Sequence, residues 1–392
     1  MEIPGRVLVK SYLEEMKITE IKSYNFSSVF AAKNTFGNSK GLKNISLITV
    51  KTKCGLEGIG ETYIGIYIPE LILPVINELK QFLVGKNPEE IVKTKIHIPF
   101  VSRNGIFKSI YSAVDIAMWD LIAKKRKKPL YKILSKNTNK YKIYSSGGLV
   151  NSNKSQLNEE INRTRKSGHQ GFKMRVGKKK WDVDYSRIKF ALNLTQKFKL
   201  NLMVDSIMGT INPPWTLKKD LFKIKNLSQK VYWLEEPFHP DNYEDYKKLV
   251  KNKIVTVATG EALSGELDYK SYLYNKLCNF IQIDVTNCGG ITDAMNILKI
   301  AKSKNIKIAM HVWGSKVASM ANAHFAYAFP EVKWLEYPLM QPEINQYIDS
   351  ELKTHLHLNF YKNKKYYGLG LRYNIKKLSS KFKYINESKY RI

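Results

Sequence analysis

Cysteine is scarce in this 392-residue chain: Cys54, Cys278 and Cys288 are its only three. An odd, widely spaced set with no CxxC excludes a disulfide framework, a cysteine zinc site and a redox pair, and fits a reducing compartment. Long apolar runs are missing too. Stretches such as residues 325–330 fall far short of the ~20 residues that a bilayer helix needs, and the N-terminus has no apolar signal core. The chain therefore reads as a soluble, cytoplasmic protein with no membrane partner. Acidic residues are few, 34 against 65 basic ones, leaving a net charge of +31. That surplus invites a nucleic-acid reading. Arginine, however, which reads guanine edges and phosphates bidentately, supplies only 9 of the 65. The other 56 are lysines, and with 30 Asn and 24 Tyr they fit the drift of an A/T-rich coding sequence. The basic runs at 124–128 and 178–180 are short and far apart, so a solvated surface accounts for the charge and no nucleic-acid partner is expected.

What is present is core material: 43% hydrophobic and 12% aromatic residues, enough for two or three domains at this length. Residues 1–15 read as an extension, with Met16 as an alternative start. Strand-like runs at 18–24, 45–52 and around 58–63, then helical patterns at 71–83 and 109–124, make residues 16–140 an α+β domain. From residue 141 to 367 the pattern becomes short apolar strands, each ending in a polar or charged residue and followed by an amphipathic helix length. The strand ends are Ser146, Arg175, Asp205, Glu235, Glu261, Asp284, His311 and Glu336. Eight ends at intervals of 23 to 30 residues predict a (β/α)8-type barrel. A doubly wound open sheet would need a Gly-rich phosphate loop after an early strand, and Gly147–Gly148 alone does not supply one. Residues 368–392 are expected to pack back on the N-terminal domain.

The carboxyl ends of barrel strands surround one mouth, so residues remote in sequence converge there. Asp205, Glu235 and Glu261, on strands three, four and five, would be costly to bury together without a cation. Three hard carboxylates with no Cys or His beside them suit Mg²⁺ better than Zn²⁺. Across the mouth, Asp284 and His311 close strands six and seven, and a carboxylate that fixes an imidazole's tautomer is a recurring general-base device. The remaining histidines, His97, His169, His239, His324, His355 and His357, have no such setting and are assigned to surface or packing.

Taken together in order and spacing, these motifs resemble the enolase superfamily in its mandelate racemase subgroup. The resemblance is carried by Lys173-Met174-Arg175, Asp205 in VDS, Glu235 in WLEEP, Glu261 in TGEA, Asp284 in QIDVTNCGG, His311 in HVWGS and Glu336 in LEYP. SAVDIAMWDLIAK, at 112–124, resembles the family's domain-joining helix, and GIGETY, at 58–63, its substrate-closing loop. The resemblance implies a capping domain over the barrel, completed by the C-terminal tail, and abstraction of a proton α to a carboxylate. Within it Lys173 contacts the substrate carboxylate, Glu336 hydrogen-bonds its other side, and Ser146 and Arg175 join the substrate contacts. The expected partners are a small-molecule sugar acid and further copies of the same chain.

Departures from the family pattern select the reaction. Where mandelate racemase-like enzymes carry a second Lys as the opposite-face base, this chain has Arg175. A guanidinium with a pKa above about 12 is a poor base and a good anchor, so two-base racemisation is disfavoured. Dehydration needs only His311, first as base and then as acid to the leaving hydroxyl, and would give a 2-keto-3-deoxy acid from an aldonate or aldarate. Ile207, two residues past Asp205, stands where relatives often place Asn or His and can neither hydrogen-bond substrate nor donate a proton. No Lys occurs within 284–290, which disfavours the muconate-cycloisomerase-like and dipeptide-epimerase-like branches. The alternative reading is a racemase or epimerase of a 2-substituted carboxylate; a degenerate barrel would lack metal ligands, and none is missing. Substrate choice is expected to rest on residues 26–40 and 58–65.

Overall fold

The computed structural model describes residues 14–30, 37–38, 41–95, 103–350, 366–385 and 390–391. An antiparallel sheet comes first, built from Ile18–Val29, Leu42–Thr52 and Glu57–Thr62, with Leu42–Thr52 in the middle. That middle strand is buried along almost its whole length, its polar residues Lys43, Asn44, Ser46 and Thr49 included. Against the sheet lies the helix Gly105–Lys125. It starts earlier than the expected residue 109 because Asn104 accepts hydrogen bonds from the N–H groups of Ile106 and Phe107 and so caps an extra turn. The sheet approaches this closely only because Gly58 and Gly60 carry no side chain: a Cβ would lie 2.1 Å from Ala117 O at the first and 1.9 Å from Ala113 O at the second.

Eight parallel strands follow: Lys142–Ser146, Gly171–Arg175, Asn201–Asp205, Trp233–Glu235, Val257–Thr259, Phe280–Ile283, Lys307–Met310 and Val332–Pro338. They close into a barrel in chain order, the eighth pairing with the first. Its interior is filled by Tyr144, Met203, Trp233, Ala258, Phe280, Ala309 and Trp334, aromatics offset by alanines so that the layer interdigitates. Register places Arg175 opposite Asp205 and Asp205 opposite Glu235, so three charged ends share one rim. Strands five, six and seven stop one or two residues short of Glu261, Asp284 and His311. At the fifth, Gly260 turns the chain out of the ladder at φ +133°. The eighth instead runs past Glu336 to Pro338, held by pairing of Glu336 with Tyr144 and Pro338 with Ser146.

The helix Gly105–Lys125 also joins sheet to barrel. Asp115 accepts from the N–H and Oγ1 of Thr292 at 3.0 and 2.5 Å, and Ser112 Oγ accepts from Gly289 N–H at 2.9 Å. At the C-terminal end the chain returns to this helix and to the sheet: Leu369 N–H donates to Asp120 of the helix at 2.7 Å, and Ile385 N–H donates to Ser27 Oγ of the first strand at 3.0 Å. Among the described residues no helix is long and apolar enough to cross a membrane. Residues 1–13 of the expected extension 1–15 lie outside the described residues, as do 31–36 and 39–40 of the expected substrate loop, and His97, His355 and His357.

Candidate active site

All nine expected site residues converge on the carboxyl-end rim. Asp205, Glu235 and Glu261 each present a carboxylate oxygen within 4.8 Å of the others, a hard-oxygen set that fits a hard divalent cation such as Mg²⁺. Each is held in place by a near neighbour, Glu261 by His311 Nε2 at 3.2 Å. Asp205 Oδ1 accepts from Ile207 N–H at 2.9 Å and Glu235 Oε2 from Trp233 Nε1 at 3.1 Å. Burial pushes the Asp205 carboxyl up to about 6, offset in part by Lys173 and reinforced by Glu261. Glu235 and Glu261 are also raised, again chiefly by burial. Carboxylates crowded out of water in this way resist ionisation until a cation joins them.

Lys173 is fully buried, 2.5 Å from Glu235, 3.2 Å from Glu336 and 3.9 Å from Asp205. Burial alone would lower its pKa, but Glu235, Glu336 and Asp205 together raise it, so the group stays an ammonium. Glu336 responds the other way: burial opposes ionisation, yet Lys173 and His311 hold it down to about 2. Its second oxygen accepts from Tyr144 OH at 3.1 Å and Val312 N–H at 3.3 Å. Ser146 is buried at the end of the first strand, beside Glu336 but without a well-formed hydrogen bond among the described residues. Arg175 Nε lies 3.6 Å from Asp205 Oδ2, and the guanidinium sits 5.0 Å from the centre of the Trp313 ring.

His311 faces this group from the seventh strand. Its Nδ1 is 3.0 Å from Asp284 Oδ2, and its Nε2 is 3.2 Å from Glu261 and 3.9 Å from Glu336. The other Asp284 oxygen is fully engaged by Thr286 N–H and Oγ1 and by Asn322 Nδ2, at 2.9, 2.7 and 2.9 Å. Asp284 is thereby fixed as an acceptor, so Nδ1 carries the proton and Nε2 points into the mouth. Burial would lower the imidazole's pKa, but Glu261, Glu336 and Asp284 more than offset it and raise it to about 9.

A roof over the mouth comes from the N-terminal sheet. GIGETY is not a free loop: Glu57–Thr62 is the third strand of that sheet and Tyr63–Ile66 a 3-10 turn. The Tyr63 ring stands edge-on to His311 at 5.8 Å, and its hydroxyl meets that of Tyr67 at 3.0 Å. Glu61 accepts from Ser315 N–H, Ser315 Oγ and Ala318 N–H at 2.8, 2.6 and 3.0 Å, fastening the roof to the N-terminus of the helix Lys316–Ala328. Ile207 is buried at φ +46°, a strained setting for a β-branched residue. Sequence reasoning missed Asn322, Glu61, Lys43 and Trp313, because each depends on a partner far away in sequence. As expected, His169 and His324 are buried in packing, where His169 Nδ1 meets Ser145 Oγ at 2.8 Å, and His239 is at the surface.

A filled eightfold barrel whose rim gathers three carboxylates, a buried lysine and an Asp-His pair under an α+β roof defines a class of metal-assisted enzymes. The sequence matches that class directly: residues 156–376 fit the enolase C-terminal domain-like family, and residues 33–135 fit the mandelate racemase/muconate lactonizing enzyme N-terminal domain. The chain belongs to the enolase superfamily, mandelate racemase subgroup. It is 26% identical over 327 residues to the L-talarate/galactarate dehydratase of Salmonella typhimurium, covering 81% of this chain and 79% of that protein. It is 26% identical over 311 residues to the arabinonate dehydratase of Saccharolobus solfataricus, covering 77% and 81%. An L-amino acid-D/L-Glu epimerase of Sulfurimonas denitrificans matches at 24% over 321 residues, covering 78% and 89%. In fold, the 3,6-anhydro-D-galactonate cycloisomerase of Zobellia galactanivorans superposes with a TM-score of 0.77 at 22% identity, covering 94% of this chain and all of that one.

Proposed function

We propose that this protein is a Mg²⁺-dependent dehydratase of a sugar acid, taking the proton α to the carboxylate and expelling the β-hydroxyl. Sugar-acid dehydratases among its relatives support the class. The observation that carries the reading is the pairing of one tautomer-fixed histidine with two permanently charged cations on the facing strand. Among the described residues of the rim, His311 Nε2 is the nitrogen placed to act as a base, because Lys173 is held as an ammonium by three carboxylates and Arg175 does not deprotonate. An epimerase needs a second base on the opposite face of the α-carbon.

Asp205, Glu235 and Glu261 would hold the ion, which when bound supplies positive charge where the substrate carboxylate becomes more negative. The protein's own groups account for the rest. Lys173 orients the reacting carboxylate by charge, with Glu336 against its other side. In its neutral form, which a cation on Glu261 would favour by offsetting the attraction that raises the imidazole's pKa, His311 Nε2 removes the α-proton, while Asp284 holds the imidazole and stabilises the imidazolium that results. As the Cβ–O bond breaks, His311 returns that proton to the departing hydroxyl as water. The enol left behind becomes the 2-keto-3-deoxy acid. Arg175 anchors hydroxyl or carboxylate oxygens from its seat on Trp313.

Screening aldonates and aldarates with Mg²⁺ for keto-acid formation tests the reading. His311→Asn should abolish both water loss and exchange of the α-proton with deuterated solvent. Exchange that persists in this variant, or interconversion of α-epimers without loss of water by the unaltered protein, would replace the dehydratase with the epimerase.

A further inference from the structure

Lys43 is the charged group of the roof that the reaction above leaves without a task. It lies on the strand Leu42–Thr52, is 1% exposed, and its Nζ sits 3.8 Å from the centre of the Trp313 ring and 4.8 Å from that of Phe30. Among the described residues its Nζ has no hydrogen bond or ion pair and lies over these two aromatic faces. The roof carboxylate on the neighbouring strand, Glu61, is occupied by Ser315 and Ala318. An ammonium kept from water with only ring faces around it is costly. Burial pulls it down to about 7, Glu61 opposing and Arg175 adding to the shift.

Its position gives this unbalanced charge a meaning. Trp313 follows His311 by two residues, and its indole carries Lys43 at 3.8 Å and Arg175 at 5.0 Å. Arg175 in turn lies 3.6 Å from the carboxylate Asp205. One indole thus links the roof cation to the rim where the reaction is read to occur. The reacting carboxylate already has Lys173, so a second cation on the roof side serves the other end of the molecule. Resting on the dehydratase reading, we infer that Lys43 binds a second, terminal carboxylate and that the substrate is a diacid, an aldarate rather than an aldonate. Relatives of this chain are named for both kinds of acid, so family membership leaves this choice open.

The test compares an aldarate with the aldonate of the same configuration. The unaltered protein should favour the diacid in kcat/KM. Lys43→Met, matched in length and apolar, should erase that preference by raising KM for the diacid about 10- to 100-fold, with kcat for it little changed. Lys43→Arg should retain the preference, and Lys43→Met should melt no lower than the parent, because it removes a buried charge. Calorimetry on Mg²⁺-loaded His311→Asn protein provides an arm independent of turnover: the aldarate should bind more tightly than the aldonate, and Lys43→Met should remove the difference. Keto acid from neither class would overturn the dehydratase reading, whereas keto acid from aldonates alone would overturn the diacid. Equal binding of the two acids, or a Lys43→Met variant that melts lower and loses both alike, would make Lys43 a packing residue.

Discussion

Lys173 and Arg175 stand two residues apart on one strand, and their partners separate their chemistry. Lys173 is wedged among three carboxylates, whereas Arg175 approaches Asp205 and lies along Trp313. Arg175→Lys would place there an amine that burial and Lys173 push towards its neutral form, against the opposing pull of Asp205 and the other rim carboxylates. Dehydration should slow by roughly 1–3 kcal/mol of barrier for the lost charge-assisted contact. Slow deuterium exchange from the opposite face should appear in recovered substrate, measured by NMR against the parent, and its absence would show that the second face has no room for a base. Asp205 makes the complementary case. Its folded pKa is raised to about 6, so it weakens the metal-free fold as pH rises above the unfolded value near 4. Asp205→Asn should therefore leave the metal-free melting temperature at pH 7.5 equal or higher, while the rise in Tm that Mg²⁺ gives the parent disappears. A variant that melts lower without metal, or keeps the Mg²⁺ shift, would remove Asp205 from the ligand set.

Among the elements, the strand Glu57–Thr62 does two things at once: its glycines admit the helix Gly105–Lys125, and its Glu61 fastens the roof to the barrel. Gly60→Ala drives a Cβ into Ala113 O, backbone that cannot rotate away, so the sheet must lift. Overpacking of this kind costs about 1–3 kcal/mol, and the displaced Glu61 and Tyr63 should raise KM as well. Gly85→Ala is the control: its added Cβ meets nothing within 4 Å, though φ is +81°, so it should cost about 1 kcal/mol and leave KM alone. Equal effects on KM would mean that the strand does not position the roof. The motif GIGETY was legible in the sequence, but its form was not. Periodicity carries no trace of a helix backbone 2 Å from where a side chain would stand. The barrel strands were legible to within two residues, because burial on both faces makes each a short apolar run with a polar stop. The rim residues were legible for the same reason, whereas Lys43, Asn322 and Trp313 acquire their setting only when distant segments meet.

Across the whole molecule, two buried histidines shift stability with pH in opposite directions. His324 is buried where the helix Lys316–Ala328, the segment Leu130–Leu134 and the C-terminal return meet. Its Nδ1 accepts from Tyr131 N–H at 3.2 Å, and its Nε2 lies 3.3 Å from Leu369 O. A proton added at Nδ1 would face the Tyr131 donor, and burial holds the pKa down to about 3. As pH falls below about 6.5 the unfolded chain takes up a proton that the fold refuses, so stability drops by about 1.4 kcal/mol per pH unit towards pH 3. His311 has the reverse sign. Its folded pKa of about 9 in the absence of metal gives stability that is complete below about 6.5 and fades as pH rises through 9. A metal-free parent should therefore be most stable near pH 6.5 as far as these two groups decide it. Urea melts from pH 4.5 to 9 should show His324→Gln flattening the acid side and His311→Asn flattening the alkaline side. Mg²⁺ should flatten the alkaline side too, since a cation on Glu261 weakens the attraction that keeps His311 protonated. An acid slope unchanged in His324→Gln would mean that the joint between barrel, helix and C-terminal return admits a charged imidazole after all.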